Sequence, residues 1–275
     1  VTPPSAPAGP PASPAGPTGG LSCSEVSVAY AGLRALAEVT FAVERDEVVG
    51  LIGPNGAGKT TLVNAMSGFA RLSAGSIRLG GREISSLPPE RRARLGLART
   101  FQHGRLFGGL SVRENVELGA LAVGRSASEA RRRAAALLDE VGLAELADVP
   151  ASQLSHGDQQ RVSVARAVVA EPAFLLLDEP AAGLPGDGLD ELAVLVLHAR
   201  EARGAGVVLI DHNVEFVLGL SDRVVVLDHG EVLAEGSPEY VRNHAGVMSA
   251  YFGTLSPEHD PTHGVDGAPA PGPAR

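Results

Sequence analysis

Lysine is almost missing from this chain: of 23 basic residues, 22 are arginine and one is Lys59. Tryptophan is absent and aromatics make up only 4%, so Val, Leu, Ile and Ala must build the core. Cys23 is the single cysteine, which excludes an internal disulfide and fits a reducing compartment. No apolar run approaches the roughly 18 residues of a membrane span. The first twenty residues lack the basic and apolar regions of a secretory signal. The net charge of −9 argues against a general nucleic-acid surface. These absences point to a cytosolic chain that meets a membrane only through a partner.

What is present is a chain of 275 residues, 44% hydrophobic, enough for a well-buried core. Residues 1–21 and 254–275 are rich in Pro, Ala and Gly and are expected to be disordered tails. The expected folded unit is 22–253. Strands are predicted at 24–30, 38–44, 47–52, 76–81, 173–178, 207–210 and 224–228. Helices are predicted from Gly58 to Ser67, at 88–95, 158–170 and 187–203, with a helical pattern over 111–147. Alternating strands and helices imply an α/β fold with a largely parallel sheet. The helix-only stretch reads as an inserted α-helical subdomain, about 103–158.

Lys59 lies in GPNGAGKT (53–60), which matches G-x-x-x-x-G-K-[ST] and follows an apolar strand. Glycines let backbone N–H groups of 55–60 wrap a phosphate chain, and the helix start adds its positive dipole end. Lysine supplies a compact charge on a thin stem, where arginine would bring a broad planar fork. Gly53, Pro54, Asn55, Gly56, Ala57, Gly58, Lys59, Thr60 and Thr61 are therefore the candidate nucleotide-binding residues, with Thr60 also a candidate Mg²⁺ ligand. FLLLDEP (174–180) is a buried-type strand ending in two acids. Ligands bind at the C-terminal ends of parallel strands. Asp178 is placed to hold Mg²⁺ and Glu179 to orient or deprotonate the attacking water.

With LSHGDQQR (154–161) between these motifs, the chain resembles the ATP-binding subunits of ABC transporters over nearly all of 22–253. The resemblance implies a P-loop NTPase (RecA-like) core with an antiparallel β subdomain, and ATP with Mg²⁺ as cofactors. It implies that Ser155 and Gly157 of the signature contact ATP held by an opposite subunit. Ser155 also reads as a helix N-cap, with Asp158 three residues on as an imperfect capping box. Gln102 in RTFQ resembles the glutamine that senses Mg²⁺ and the γ-phosphate. His212 resembles the switch histidine, and Tyr30 the aromatic that stacks on adenine. His156, Asp158 and Pro185 depart from the usual signature and D-loop residues, and bear on contacts across the dimer.

RTFQHGRLF (99–107), DEPAAGL (178–184), LIDHNVEF (209–216) and SAYFG (249–253) look like one ATPase of branched-chain amino-acid importers, the RTFQ-type subunit. That resemblance implies two membrane permeases, a second and non-identical ATPase, an external binding protein, and a place on the cytoplasmic face of the cell membrane. A permease helix would enter a groove near Gln102 that Arg99, Arg105 and Arg113 line, or those arginines are simply a solvated face. Arg131, Arg132 and Arg133 read as solvated helix charge. Urea importers share LSHG, and lipopolysaccharide exporters share DHNV. An ABC ATPase that works on DNA or ribosomes is the rival of another class, and it would carry tandem domains, coiled-coil insertions or a basic balance. A module that binds ATP without turnover would lack Glu179 or His212.

Overall fold

The computed structural model describes residues 19–101 and 106–252. Strands β1 (Leu21–Tyr30) and β2 (Leu33–Val43) form a hairpin. Its two-residue turn, Ala31-Gly32, has φ of 47° and 86°, the left-handed pair that matches strand twist. β3 (Val48–Ile52) leads through the glycine-rich loop to α1 (Lys59–Ser67). β4 (Ala74–Leu79) and β5 (Arg82–Glu83) complete a four-stranded antiparallel sheet, ordered β2-β1-β4-β5. Then come α2 (Pro89–Arg94), β6 (Leu97–Arg99), α3 (Val112–Ala122), α4 (Ala127–Glu140) and α5 (His156–Val168). β7 (Phe174–Asp178), α6 (Gly186–Glu201), β8 (Gly206–Ile210), α7 (Val214–Leu220) and β9 (Arg223–Asp228) follow. β10 (Glu231–Gly236), α8 (Pro238–Arg242) and α9 (Ala245–Phe252) close the described chain.

The second sheet runs β10-β9-β3-β8-β7-β6, parallel throughout except for β10 at its edge. Every residue of β3, β7 and β8 is buried, as continuous apolar runs in a parallel sheet should be. Their side chains divide by alternation. Val48, Ile52, Leu175, Leu177, Val207 and Leu209 face a core shared with α3 to α7. Val49, Leu51, Phe174, Leu176, Val208 and Ile210 face a core shared with α1 and the antiparallel sheet. Each such side chain contributes about 1.5–3 kcal/mol by leaving water. The sheet is thus clamped from both sides, and the C-terminal ends of β3, β7 and β8 sit at one edge of a rigid layer.

Several expectations need correction. Leu21 is fully buried inside β1, so the folded part starts before residue 22. β2 begins at Leu33, five residues earlier than expected. The helical pattern over 111–147 is two helices and a short 3-10 turn at Ala144–Leu146. Gly124, at φ 90°, lies between the helices, and Ser126 starts α4 by accepting from the Glu129 N–H. α5 crosses the expected subdomain limit at 158 without a break. Arg133 is no solvated charge: it is largely buried and pairs with Glu129 (2.8 Å) and Glu171. Arg131 does stay exposed, 3.7 Å from Glu117. No described helix is long and apolar enough to cross a membrane.

Candidate nucleotide-binding site

The loop after β3 takes its shape from two glycines that the chain itself demands. A Cβ on Gly53 would sit 2.1 Å from the Leu227 carbonyl oxygen. Gly58 has φ 104°, and a Cβ there would meet Leu36 Cδ2 at 2.8 Å and the Ala35 oxygen at 2.9 Å. Gly58 is also the N-cap of α1 and offers no side-chain cap, so the first N–H groups of that helix remain available to an anion. Lys59 lies back along the loop, its Nζ donating to the carbonyls of Gly53 (2.6 Å) and Pro54 (3.0 Å). Burial pushes its pKa down, and the carboxylates of Glu179 and Asp178 work against that.

A cavity of about 420 Å³ opens over this loop, lined by residues 55–61, Glu179 and His212. Leu33, Arg34 and Ala35 of the β1–β2 hairpin form another wall. Glu179 follows β7 directly, and its N–H donates to the Ile210 carbonyl (2.8 Å). Its φ is 51°, a left-handed conformation that costs a non-glycine residue on the order of 1 kcal/mol or more and is common at active sites. His212 Nε2 lies 2.8 Å from Glu179 Oε1, within hydrogen-bond reach. The two side chains differ in setting: the carboxylate is 11% exposed and the imidazole 56%. A base held in a dry wall thus meets a donor that reaches in from solvent.

Asp178 is buried at the end of β7. Burial pushes its pKa up, and the Arg99 guanidinium opposes the shift. Arg99 Nη2 donates to Asp178 Oδ2 at 2.9 Å. Arg99 therefore neither lines an open groove nor lies on a solvated face, the two readings the sequence offered, but sits almost wholly inside, 7% exposed. Sequence reasoning missed two further residues here. Thr100 Oγ1 accepts from the Asp178 N–H (3.3 Å). Asp211, buried, accepts from the N–H groups of Ala181 (2.8 Å) and Asn213 (3.0 Å), tying the turn after Glu179 to the turn that carries His212. The adjacent Asp211-His212 at a strand end was the available signal.

The remaining predicted residues lie apart from the cavity. Ser155 and Gly157 begin α5, outside its lining; the Ser155 hydroxyl accepts from the Asp158 N–H (3.1 Å) and donates to the Asp158 carboxylate (2.6 Å). His156 Nε2 lies 3.0 Å from the Ala182 carbonyl oxygen, joining the signature turn to the segment after Glu179. Tyr30 ends β1 half-exposed, and its hairpin neighbours rather than its own ring line the cavity. Arg113 pairs with Asp148 (2.9 Å) on the surface. Gln102 and Arg105 lie outside the described residues.

The likenesses to known proteins point the same way. The family model described as ABC transporter matches residues 36–182. The high-affinity branched-chain amino acid transport ATP-binding protein LivG of Salmonella typhimurium is 41% identical over 248 residues, covering 85% of this chain and 97% of that protein. The corresponding BraF of Pseudomonas aeruginosa is 40% identical over 248 residues, with the same coverage. A solved ADP conformation of an ATP-binding cassette of an ABC transporter superposes with TM-score 0.77 at 27% identity, covering 85% of this chain and 98% of that one. A dimeric bacterial ABC transporter cassette superposes with TM-score 0.71 at 27% identity, covering 79% and 98%. The motifs, the two-sheet fold and these relatives agree, and the chain belongs to the ABC transporter family as one of its ATP-binding cassettes.

Proposed function

We propose that this chain is the ATP-hydrolysing subunit of an importer for branched-chain or related amino acids, working beneath two membrane permeases beside a second, non-identical ATPase. The observation that carries the hydrolytic part is the Glu179–His212 pair facing the same cavity as Lys59 and the N–H groups of the loop. The cargo class rests on the likeness to LivG and BraF, and an external binding protein belongs with it. The place on the cytoplasmic face follows from the permeases.

The loop N–H groups and Lys59 hold the phosphates of ATP. To reach the β- and γ-phosphates, the Lys59 ammonium exchanges two carbonyl acceptors for phosphate oxygens, a gain in charge complementarity. An Mg²⁺ held with ATP would offset negative charge on the phosphates. The donor set suits such an ion: Thr60 lines the cavity, and Asp178 Oδ1 is buried without a hydrogen-bond partner among the described residues. Mg²⁺ characteristically takes one or two protein oxygens and fills the rest with phosphate and water. By the family resemblance, Gln102 would complete this set. Glu179 accepts the proton of the attacking water as its oxygen bonds to the γ-phosphorus and the bond to ADP breaks. His212 orients Glu179 and donates toward the γ-phosphate oxygens. Tyr30 offers a ring to adenine, and Ser155 with Gly157 face the ATP of the neighbouring ATPase.

The permeases would meet a face that carries Phe69 and Phe101, both about half exposed. Phe69 and Phe101 stack edge to face at 5.3 Å. Such an exposed aromatic pair suits the short helix of a membrane partner.

The test is phosphate release by the chain with and without its permeases, together with Glu179→Gln. The expected result is ATP binding retained and turnover lost, by at least about a hundredfold. Undiminished release in that variant removes Glu179 as the base. A stable complex of the solitary chain with DNA at moderate salt would favour the DNA-acting class instead.

A further inference from the structure

Arg99 is bound on every side. Its Nη1 donates to Asn64 Oδ1 (2.6 Å) and Ser67 Oγ (2.9 Å), its Nη2 to Asp178 Oδ2 (2.9 Å), and its Nε to the Thr100 carbonyl (3.3 Å). The guanidinium carbon lies 4.7 Å from the centre of the Phe101 ring and 5.6 Å from that of Phe69. Asn64 and Ser67 are four and seven residues beyond Thr60 on α1, on the same helix face as that threonine. Arg99 therefore ties together the strand end that carries Asp178 and the helix that begins with Lys59 and Thr60.

The two oxygens of Asp178 are treated differently. Oδ2 is held by the guanidinium, whereas Oδ1 is buried and accepts no hydrogen bond among the described residues. A buried carboxylate oxygen without a partner is costly. The guanidinium on the other oxygen fixes the rotation of the carboxylate. We propose that Arg99 is a positioning residue for the metal: it holds Oδ2 of Asp178 so that Oδ1 is presented to the Mg²⁺ bound with ATP, in register with Thr60. This inference rests on the Mg²⁺–ATP site proposed above. It assigns Arg99 a role that lasts while nucleotide is bound. A guanidinium that merely fills the metal's place and must then leave would have the opposite effect.

The sign of the effect on metal affinity separates the two. The probe is Mn²⁺, titrated by electron paramagnetic resonance with ATP into the full chain carrying Glu179→Gln, so that ATP survives. Adding Arg99→Gln should weaken Mn²⁺ retention about tenfold or more, the usual cost of losing a group that orients a metal ligand. Arg99→Lys should recover part of that loss, because charge returns without the fork. ATP affinity in EDTA, by calorimetry, should stay within about twofold, since Arg99 touches no loop residue. Unchanged or tighter Mn²⁺ binding in Arg99→Gln overturns the role. If that variant melts below the assay temperature, Asn64→Ala decides. It keeps the charge but removes the shorter of the guanidinium's two hydrogen bonds to α1, and should weaken Mn²⁺ several-fold; no change there also overturns the role. A chain with Arg99 intact that binds no ATP would overturn the nucleotide site itself, which the Arg99 comparison alone cannot do.

Discussion

Two helix starts in this molecule are built in opposite ways. α1 opens at Gly58, with no side-chain cap and a left-handed N-cap residue, and its first N–H groups face the cavity together with Lys59. α5 opens at Ser155, whose hydroxyl already accepts from the Asp158 N–H and donates to the Asp158 carboxylate. The first is open within the single chain. The second is closed by its own side chains, with a carboxylate where a phosphate would approach. In the family resemblance the first serves this chain's ATP and the second the neighbour's. The physical difference is that a solitary chain is already arranged to bind nucleotide at α1, whereas at α5 it is arranged to be a stable helix end. A phosphate arriving at α5 must compete with the Ser155–Asp158 hydrogen bond, which makes that contact dependent on a partner delivering its ATP in the right place.

The largest effect should come from removing the charge at the open end. Lys59→Ala is expected to lower ATP affinity of the isolated chain at least about a hundredfold, because two charge-assisted hydrogen bonds are each worth roughly 1.5–3 kcal/mol. Calorimetric titration measures it. Ser155→Ala in the same assay should leave affinity unchanged. Equal losses in both would erase the distinction between the two ends.

The glycines sharpen it. Gly58→Ala puts a Cβ against backbone and Leu36 at φ 104° and should destabilise the chain by about 1–3 kcal/mol. Gly157→Ala meets only Leu184 Cδ2 at 3.5 Å and Ser155 Oγ at 3.9 Å, and inside a helix start it should be neutral or slightly stabilising. Denaturant melting separates them. The fold therefore needs the first glycine and has no use for the second, so a glycine at 157 makes sense as room for something outside this chain. Phosphate release by the assembled transporter should fall in Gly157→Ala although the isolated chain binds ATP normally.

The same contrast explains what was legible in the sequence. The glycine-rich loop, the apolar strands and the acids after FLLL could be read because one local pattern and one physical demand coincide there. β6 could not: Leu97–Arg99 is a strand only because it pairs with Phe174–Leu176, seventy-odd residues away. β10 has only three apolar residues, Val232–Ala234, between glutamates at the edge of the sheet, too short a run to mark it. The break between α3 and α4 was written as Gly124 followed by Ser126 and Glu129, a stop and a start signal, but the longer helical pattern masked it. Arg99 reads as solvent charge from sequence, since arginine is rarely buried unless paired. Its pairing with Asp178 is tertiary and leaves no local trace.

The smallest effect concerns Ser155, whose capping hydroxyl is also the proposed contact to the neighbour's ATP. Ser155→Ala should cost about 1 kcal/mol of stability by leaving the Asp158 N–H without its acceptor, and hydrogen exchange at the start of α5 should rise with it. Ser155→Asn caps about as well as serine, so it should restore that stability. It replaces the hydroxyl with an amide of different reach, so it should not restore ATP turnover in the assembled complex. A complex with Ser155→Asn that hydrolyses ATP at the full rate would mean that Ser155 is only a cap, and that the neighbour's ATP is held by the backbone of α5 alone.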